Sequence, residues 1–172
     1  DLKQKYFLTV CRLAEEQKDV KTLIEAYSLY KGKEKLVIAG DGPDRKFLED
    51  FCIQKNLKDK IIFLGMVDNP FHLMKNAQAF ILSSKVEGFG LVLVEALYCG
   101  TKVISSNCPT GPSQILLNGE AGELFEVSNV KELLNKLEII INKEYEKNKI
   151  DETLKRYTRE NFINNFRKVI GC

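Results

Sequence analysis

Short runs of apolar residues alternate with amphipathic segments along most of this chain. The apolar runs are predicted strands, at residues 6–10, 35–39, 61–64, 79–82, 102–105 and 122–127. Their apolar residues are consecutive, which is typical of strands that helices cover on both faces of a sheet. Strands that alternate with helices predict βαβ units and therefore a parallel sheet.

The segments between the strands carry helix signals. Asp19 is a candidate N-cap for one helix, and Pro43 suits the first position of the next. In that second helix Phe47, Leu48 and Phe51 are predicted to face the core. Further helices are predicted around 71–74, 90–99, 113–117, 130–141 and 158–170, whereas the Lys-rich residues 142–151 are predicted as a solvated turn.

Six such strands predict an α/β fold with a doubly wound, Rossmann-like six-stranded parallel sheet and helices on both faces. The expected strand order is 3-2-1-4-5-6. In that order strand one lies beside strand four at the topological switch point, where ligands bind beyond the carboxyl ends of the strands. The loops after strands one and four are therefore the place to look for functional residues.

Composition narrows the class of protein. The 172 residues suffice for one domain with a core, and they carry 26 basic and 24 acidic residues, interspersed, for a net charge of +2. That small charge gives no indication of a nucleic-acid partner. Five cysteines without a CxxC pair favour neither zinc nor a disulfide framework and indicate a reducing, cytoplasmic setting. No membrane-length apolar run or signal peptide is seen, and the abrupt start at a strand suggests a piece of a larger protein.

The stretch from residue 83 to 100, SSKVEGFGLVLVEALYCG, carries the strongest functional signal. The loop Glu87-Gly88-Phe89-Gly90 leads into an apolar, buried helix that contains one acid, Glu95, and that ends at Gly100. Free N–H groups at a helix start form an anion site, and a buried carboxylate needs a partner. Two acids beside such a site predict a ligand that has both phosphate and hydroxyl groups.

The loop after strand one adds two cations, Arg12 and Lys18, to the same crevice. If the helix starts near Gly90, Glu95 lies roughly 7 Å along its axis and leans back toward the crevice. A nucleoside diphosphate sugar then fits with its ribose at Glu95, its phosphates at the helix start and its sugar at Glu87.

Simpler interpretations stay open for several of these residues. Glu95 alone would fit an ion pair with Lys102 or another cation, and Arg12 alone would fit an ordinary surface position. Gln17 would fit the site as well as its neighbour Lys18. Two further features have mainly structural interpretations: the segment 40–42 as a turn, and His72 as a helix-surface residue.

These residues resemble the donor-binding, C-terminal domain of retaining glycosyltransferases with the GT-B fold, and family 4 in particular. The most specific part is the acid pair spaced eight apart, Glu87 and Glu95. Arg12-Leu13 with Lys18 is similar to the family's phosphate-binding Arg and Lys. The matching segments 39–43, 63–67 and 96–104 extend the resemblance over nearly the whole chain.

The resemblance implies a role for each site residue. Arg12 and Lys18 would stabilise the diphosphate as leaving group, and with Glu87 they would form the catalytic set. Glu95 would bind the ribose, and Val67 would lie near the base. The remaining substrate contacts would come from Gly88, Phe89, Gly90, Leu91 and Val92, through the loop and the N–H groups of residues 90–92. No metal and no cofactor is implied. Gln114 stands where similar transferases often carry Glu, which argues against a charge-based role there.

The same resemblance implies partners. Residues 1–172 would form a single nucleotide-sugar-binding domain, and the terminal helix 157–172 would pack on an N-terminal acceptor domain outside this chain. The donor would be a nucleotide-diphosphate sugar, with UDP expected, and the acceptor a glycan or lipid-linked glycan in bacterial cell-surface polysaccharide biosynthesis. The enzyme would be cytoplasmic or peripheral at the inner face of the membrane, and this part alone would be inactive. The alternatives are a non-catalytic nucleotide-binding module and a GT-B sugar-nucleotide epimerase.

Overall fold

The computed structural model describes residues 4–161, and it contains the predicted parallel sheet. The strands are β1 Tyr6–Val10, β2 Lys35–Ala39, β3 Ile61–Gly65, β4 Ala79–Leu82, β5 Val103–Ser106 and β6 Glu123–Phe125. All neighbouring strands pair in parallel, in the order β3-β2-β1-β4-β5-β6. The predicted order is therefore confirmed, although β6 is shorter than predicted.

Helices connect the strands and cover the sheet. They are α1 Glu15–Lys18, α2 Val20–Leu29, α3 Arg45–Gln54, α4 Phe71–Asn76, α5 Leu91–Tyr98, α6 Pro112–Ile115, α7 Val130–Ile140 and α8 Lys147–Arg156, with a 3-10 turn at Leu117–Gly119. Within the part of the chain described, no helix is long and apolar enough to cross a membrane.

The core lies on both faces of the sheet. Consecutive residues of β1 point to opposite faces, and Phe7 and Leu8 are both fully buried. Phe7 packs in a cluster with Leu23 of α2 and Leu137 of α7. Leu8 packs in a second cluster that includes Leu93 of α5. Two-sided burial explains why the strands are continuously apolar, as the sequence pattern predicted.

The start of α2 differs from the prediction. Asp19 stands at the N-cap position, but its side chain does not cap the helix, because its backbone is left-handed with φ of 47°. Glu15 caps the helix instead, because its carboxylate accepts hydrogen bonds from the N–H groups of Val20 at 2.8 Å and Lys21 at 3.0 Å. The unpredicted turn of helix α1 places Glu15 where it can reach them, while the Asp19 carboxylate accepts the Ser128 hydroxyl at 2.6 Å.

The start of α3 is also displaced from its predicted position. Pro43 precedes the helix, because the Arg45 N–H closes a turn onto the Gly42 carbonyl at 3.2 Å before α3 begins. The prediction that Phe47 faces the core is wrong, since its side chain is 48% exposed. Leu48 is fully buried, as predicted.

The Lys-rich segment after α7 contains a helix where the sequence predicted a solvated turn over 142–151. Helix α8 is polar except for Ile150 and Leu154, which pack on the α5 side of the sheet. Buried Thr153 donates its hydroxyl to the Ile115 carbonyl at 2.7 Å. Tyr157 ends α8 and packs edge-on against Phe89, with ring centroids 5.5 Å apart. Of the terminal helix predicted for 157–172, residues 162–172 lie outside the described residues.

Helix α5 ends as predicted but is buried on one side only. Gly100 has φ of 78°, the left-handed conformation that glycine adopts readily. The Thr101 N–H bonds the Ala96 carbonyl at 3.0 Å, and the Gly100 N–H bonds the Leu97 carbonyl at 2.9 Å, which together form a Schellman cap. Tyr98 is 81% exposed, so the continuous apolar pattern overpredicted the burial of this helix.

Candidate functional site

The loops that follow β1 and β4 meet at the switch point of the sheet. β1 pairs with both β2 and β4, so the chain leaves β1 and β4 at the same edge. The Lys18 ammonium nitrogen lies 2.6 Å from Glu87 Oε1, with side chains only 20% and 11% exposed. The structure therefore brings together two of the predicted site residues that are 69 positions apart in sequence.

Two hydrogen bonds to backbone carbonyls fix the loop of Lys18 against the loop of Glu87. The Ser83 hydroxyl donates to the Lys18 carbonyl at 2.9 Å, and the Lys85 N–H donates to the Gln17 carbonyl at 2.8 Å. The Gln17 side chain is exposed, so its carbonyl serves as an anchor while Lys18 makes the contact with Glu87. Lys18, and not Gln17, therefore makes the side-chain contact with Glu87.

Ser84 also contacts Glu87, and the sequence analysis did not identify it. It is fully buried after β4, and its hydroxyl donates to Glu87 Oε1 at 2.5 Å. Its carbonyl accepts the hydroxyl of Ser106, at the end of β5, also at 2.5 Å. Two consecutive serines at the end of a buried strand could have indicated this contact, because a buried hydroxyl needs a hydrogen-bond partner.

The first turn of α5, which begins shortly after Glu87 in the chain, presents N–H groups. Gly90 is the N-cap residue with φ of 85°, and the Leu93 N–H bonds its carbonyl at 2.9 Å. Within residues 4–161, no protein acceptor is assigned to the N–H groups of Gly90, Leu91 and Val92. Unpaired N–H groups and the positive end of the helix dipole attract an anion.

Glu95 lies in the second turn of α5 and is half-buried. The suggested ion pair with Lys102 is absent, because the Lys102 ammonium contacts Glu144 at 3.2 Å and the Ile141 carbonyl at 3.2 Å. No hydrogen bond or ion pair to another described residue is assigned to the Glu95 carboxylate. A structural ion pair therefore does not account for this acid.

A cleft of about 500 Å³ opens beyond the carboxyl ends of β1, β2 and β3. Arg12 and Val67 both line it, so two more predicted site residues share one cavity. Cys11 lines it too, and burial raises the pKa of its thiol to about 11. Asp41 is part of the wall; the Gly42 N–H, and then Arg45, lower the pKa of its carboxyl. Gly40 pairs with Gly65 in an isolated β-bridge and lines the cleft with Asp41, whereas the turn itself follows at residues 42–45.

The structure thus groups Lys18 with Glu87, and Arg12 with Val67 in the cleft, whereas no contact to either group is assigned to the Glu95 carboxylate within residues 4–161. Cations and N–H groups can hold a phosphate, and carboxylates can accept hydrogen bonds from hydroxyl groups. Gly88 and Phe89 lie between Glu87 and the helix start, whereas Gln114 is exposed on α6. Between residues 4 and 161, no cluster of three or more His, Cys, Asp or Glu side chains is placed to hold a metal ion. His72 is exposed on α4, as predicted.

Comparison with known proteins gives a family that accounts for these features. The family model described as "Glycosyl transferases group 1" matches residues 1–165. A curated relative from Campylobacter jejuni is 34% identical over 140 residues, which is 81% of this chain and 38% of that protein. Its name is N-acetylgalactosamine-N,N'-diacetylbacillosaminyl-diphospho-undecaprenol 4-alpha-N-acetylgalactosaminyltransferase. The chain spans 38% and 48% of the first two curated relatives it matches, which is less than half of each.

Solved structures agree with the fold. The apo form of the lipopolysaccharide outer core galactosyltransferase WaaB superposes with a TM-score of 0.88 at 30% identity, over 98% of this chain and 49% of that one. Anabaena Alr3699/HepE, solved in complex with UDP, superposes at 0.81 with 19% identity, over 98% of this chain and 49% of that one. The structural neighbours are GT-B glycosyltransferases, and the match over residues 1–165 is decisive: this chain belongs to the group 1 family of glycosyl transferases.

Proposed function

We propose that this chain is the C-terminal, donor-binding half of a retaining hexosyltransferase of family 4. The whole protein would move a hexose from a nucleotide-diphosphate sugar to a glycan or lipid-linked acceptor. An N-terminal domain outside this chain would bind the acceptor, so this part alone would be inactive.

One observation carries the proposal: Lys18 and Glu87 meet at 2.6 Å at the switch point, beside the first turn of α5. A cation and an acid placed at the edge of an anion-binding helix start suit a ligand in which a phosphate adjoins a sugar.

The phosphates are assigned to Arg12, Lys18 and the N–H groups of residues 90–92. In that position the two cations and the helix dipole stabilise the diphosphate as leaving group, so the reaction needs no metal ion. The base is assigned to the cleft at Val67 and the ribose to Glu95. The sugar is assigned to Glu87, together with the loop residues Gly88 and Phe89.

The donor is proposed to carry uridine. Support comes from the structural relative solved with UDP and from relatives named for galactosyl and N-acetylgalactosaminyl transfer. The undecaprenol-linked acceptor in the name of one relative supports a lipid-linked acceptor in cell-surface glycan synthesis. We therefore place the whole enzyme in the cytoplasm or peripherally at the inner face of the membrane.

Two matched variants test the ligand orientation. Glu87→Gln should bind UDP nearly as well as the wild type but lose discrimination among UDP-sugars, because Glu87 lies beyond the phosphates. Glu95→Gln should weaken UDP and UDP-sugars alike, by about tenfold for hydrogen bonds to a charged acceptor. Isothermal titration of both variants with UDP and several UDP-sugars measures this, after circular dichroism establishes that they fold.

Two results would contradict the proposal. If Glu87→Gln weakens bare UDP as much as Glu95→Gln does, the orientation is wrong; if UDP binding requires Mg²⁺ or Mn²⁺, the metal-free assignment is wrong. Incubating the whole protein with a UDP-sugar and no acceptor separates the rival activities. An epimerase changes the sugar under those conditions, a non-catalytic module stays inactive even with acceptor, and a transferase needs the acceptor.

A further inference from the structure

Ser84 is buried beneath the proposed donor-sugar site and is held at both ends. Its hydroxyl donates to Glu87 Oε1 at 2.5 Å, and its carbonyl accepts the Ser106 hydroxyl at 2.5 Å. The residue has no exposed surface. Its short side chain has one rotatable bond, and the fixed backbone restricts where the hydroxyl can point.

The two hydrogen bonds to Glu87 fall on the same carboxylate oxygen. Lys18 and Ser84 both contact Oε1. No hydrogen bond or ion pair from residues 4–161 is assigned to Oε2, and the side chain is 11% exposed. A carboxylate can accept about four hydrogen bonds over its two oxygens. Oε2 is therefore the oxygen with capacity for a ligand hydroxyl.

Lys18 by itself does not fix the rotation of this carboxylate. An ammonium group is a compact charge on a flexible stem, so it attracts either oxygen without selecting one. In the proposed function Lys18 also faces the diphosphate, which competes for its hydrogen bonds. The buried Ser84 hydroxyl has no flexible stem, and no phosphate competes for its hydrogen bond.

We infer that Ser84 is a positioning residue for the donor sugar: its hydroxyl holds Glu87 Oε1 so that Oε2 is presented to a sugar hydroxyl. The inference rests on the proposed function, because it assumes that Glu87 binds the sugar. It assigns sugar selection to a residue that does not itself touch the ligand.

A purely structural role for Ser84 predicts a different outcome, and Ser105 provides the matched control. Ser105 is also a fully buried serine, and its hydroxyl donates to the Ser106 carbonyl at 2.9 Å. No hydrogen bond between Ser105 and Glu87 is assigned. Ser84→Ala and Ser105→Ala each remove one buried hydroxyl, so both should lower the melting temperature, Ser84→Ala by more because its hydroxyl bonds a carboxylate.

The test measures the affinity of the 172-residue chain for UDP and for several UDP-sugars by isothermal titration. Ser84→Ala should keep UDP affinity within about twofold but lose about tenfold of the affinity for the preferred UDP-sugar, the effect expected if the misplaced Glu87 carboxylate no longer accepts a hydrogen bond from the sugar. Ser105→Ala should keep the affinity for UDP and the affinity for the preferred UDP-sugar. Ser84→Cys keeps a weak donor in a slightly larger side chain, so it should lose less affinity for the UDP-sugar than Ser84→Ala, and it tests the inference if the alanine variant fails to fold.

A spectroscopic measurement reports on the carboxylate directly. The Glu87 ¹³Cδ resonance, assigned by its absence in Glu87→Gln, should move in Ser84→Ala and stay in place in Ser105→Ala. An unchanged sugar preference and an unchanged resonance in folded Ser84→Ala or Ser84→Cys would overturn the inference, and so would an equal loss in Ser105→Ala. If the wild-type chain binds UDP without any sugar preference, the inference fails while nucleotide binding stands. If it binds neither UDP nor UDP-sugars, the proposed function fails.

Discussion

The most quantitative prediction concerns Glu123, a buried acid on the edge strand β6. The residue is only 3% exposed. Its carboxylate accepts hydrogen bonds from Lys136 at 2.8 Å, from Tyr145 at 2.6 Å and from Lys143. Burial alone would raise the pKa of this carboxyl, but the three hydrogen bonds outweigh it and lower the pKa to about 2. Glu123 therefore ties α7 and the segment after it to the sheet.

The lowered pKa of Glu123 sets both the size and the pH dependence of its contribution to the free energy of unfolding. A fall from 4.5 to about 2 corresponds to roughly 3 kcal/mol of stability. For a carboxyl whose folded pKa is lowered, this contribution is fully present above the unfolded pKa and is lost as pH falls through the folded pKa. Glu123→Gln should therefore lower the free energy of unfolding by roughly 3 kcal/mol at pH 7, and the difference from wild type should fall below half by about pH 3.

Urea unfolding followed by circular dichroism at pH 7, 5, 4 and 3 measures this difference. Glu144→Gln is the matched control, because Glu144 pairs with Lys102 but is 88% exposed. Exposed ion pairs contribute at most about 1 kcal/mol, so this variant should change little at any pH. A loss below about 1 kcal/mol in Glu123→Gln, or a difference that stays constant down to pH 3, would refute the assigned role of the cluster.

Two further predictions concern the walls of the site. A Cβ at Gly111 would lie 1.7 Å from the Phe89 carbonyl oxygen, so Gly111→Ala should cost roughly 3 kcal/mol in urea unfolding and shift the loop of Phe89. Gly100→Ala meets open space but keeps a positive φ, so it should cost only about 1 kcal/mol; equal costs would show that the close approach is unimportant. Because the pKa of Cys11 is raised from 9.0 to about 11, its alkylation by iodoacetamide at pH 8 should be about a hundredfold slower than that of a free thiol. Peptide mass spectrometry measures that rate, which should rise about tenfold per pH unit toward pH 11, and an ordinary rate at pH 8 would contradict the shift.

The sheet was predictable from sequence because burial of the strands on both faces directly produces the continuous apolar runs seen in the sequence. Strands covered on both faces must be apolar at every position, and a run such as 79–82 shows that directly. The alternation of strands and helices indicated a doubly wound sheet, and the predicted strand order was the usual one for six such strands. The order in turn placed the loops of Lys18 and Glu87 at one edge, which is why two residues far apart in sequence could be assigned to one site.

Helix α8 could not be predicted because its stability comes from distant partners. Its sequence is polar, and only Ile150 and Leu154 mark an apolar side. The contacts that hold it include the hydrogen bond from Thr153 to the Ile115 carbonyl, 38 positions earlier. Tertiary packing of this kind overrides local helix propensity, and the ten residues of the helix do not by themselves indicate it.

The capping of α2 shows a second limit, this time one of geometry. Asp19 has the residue type and position of an N-cap, and the rule that predicts such caps assumes an extended backbone there. The left-handed φ at Asp19 turns its side chain toward Ser128 instead. Glu15 caps the helix from the preceding turn. Which of the two acids caps α2 therefore depends on the backbone angle at Asp19 and not on residue type.

The two acids of the site also differ in a way that only the structure reveals. Glu87 is already held by Lys18 and Ser84, whereas the Glu95 carboxylate has no assigned partner within residues 4–161. A glutamate loses up to about 1.5–2 kcal/mol of rotamer entropy when it is fixed. Folding has already fixed Glu87, whereas in the proposed function ligand binding would have to fix Glu95. For an equal number of hydroxyl contacts, Glu87 should therefore contribute more to the affinity for a sugar than Glu95 contributes to the affinity for a ribose.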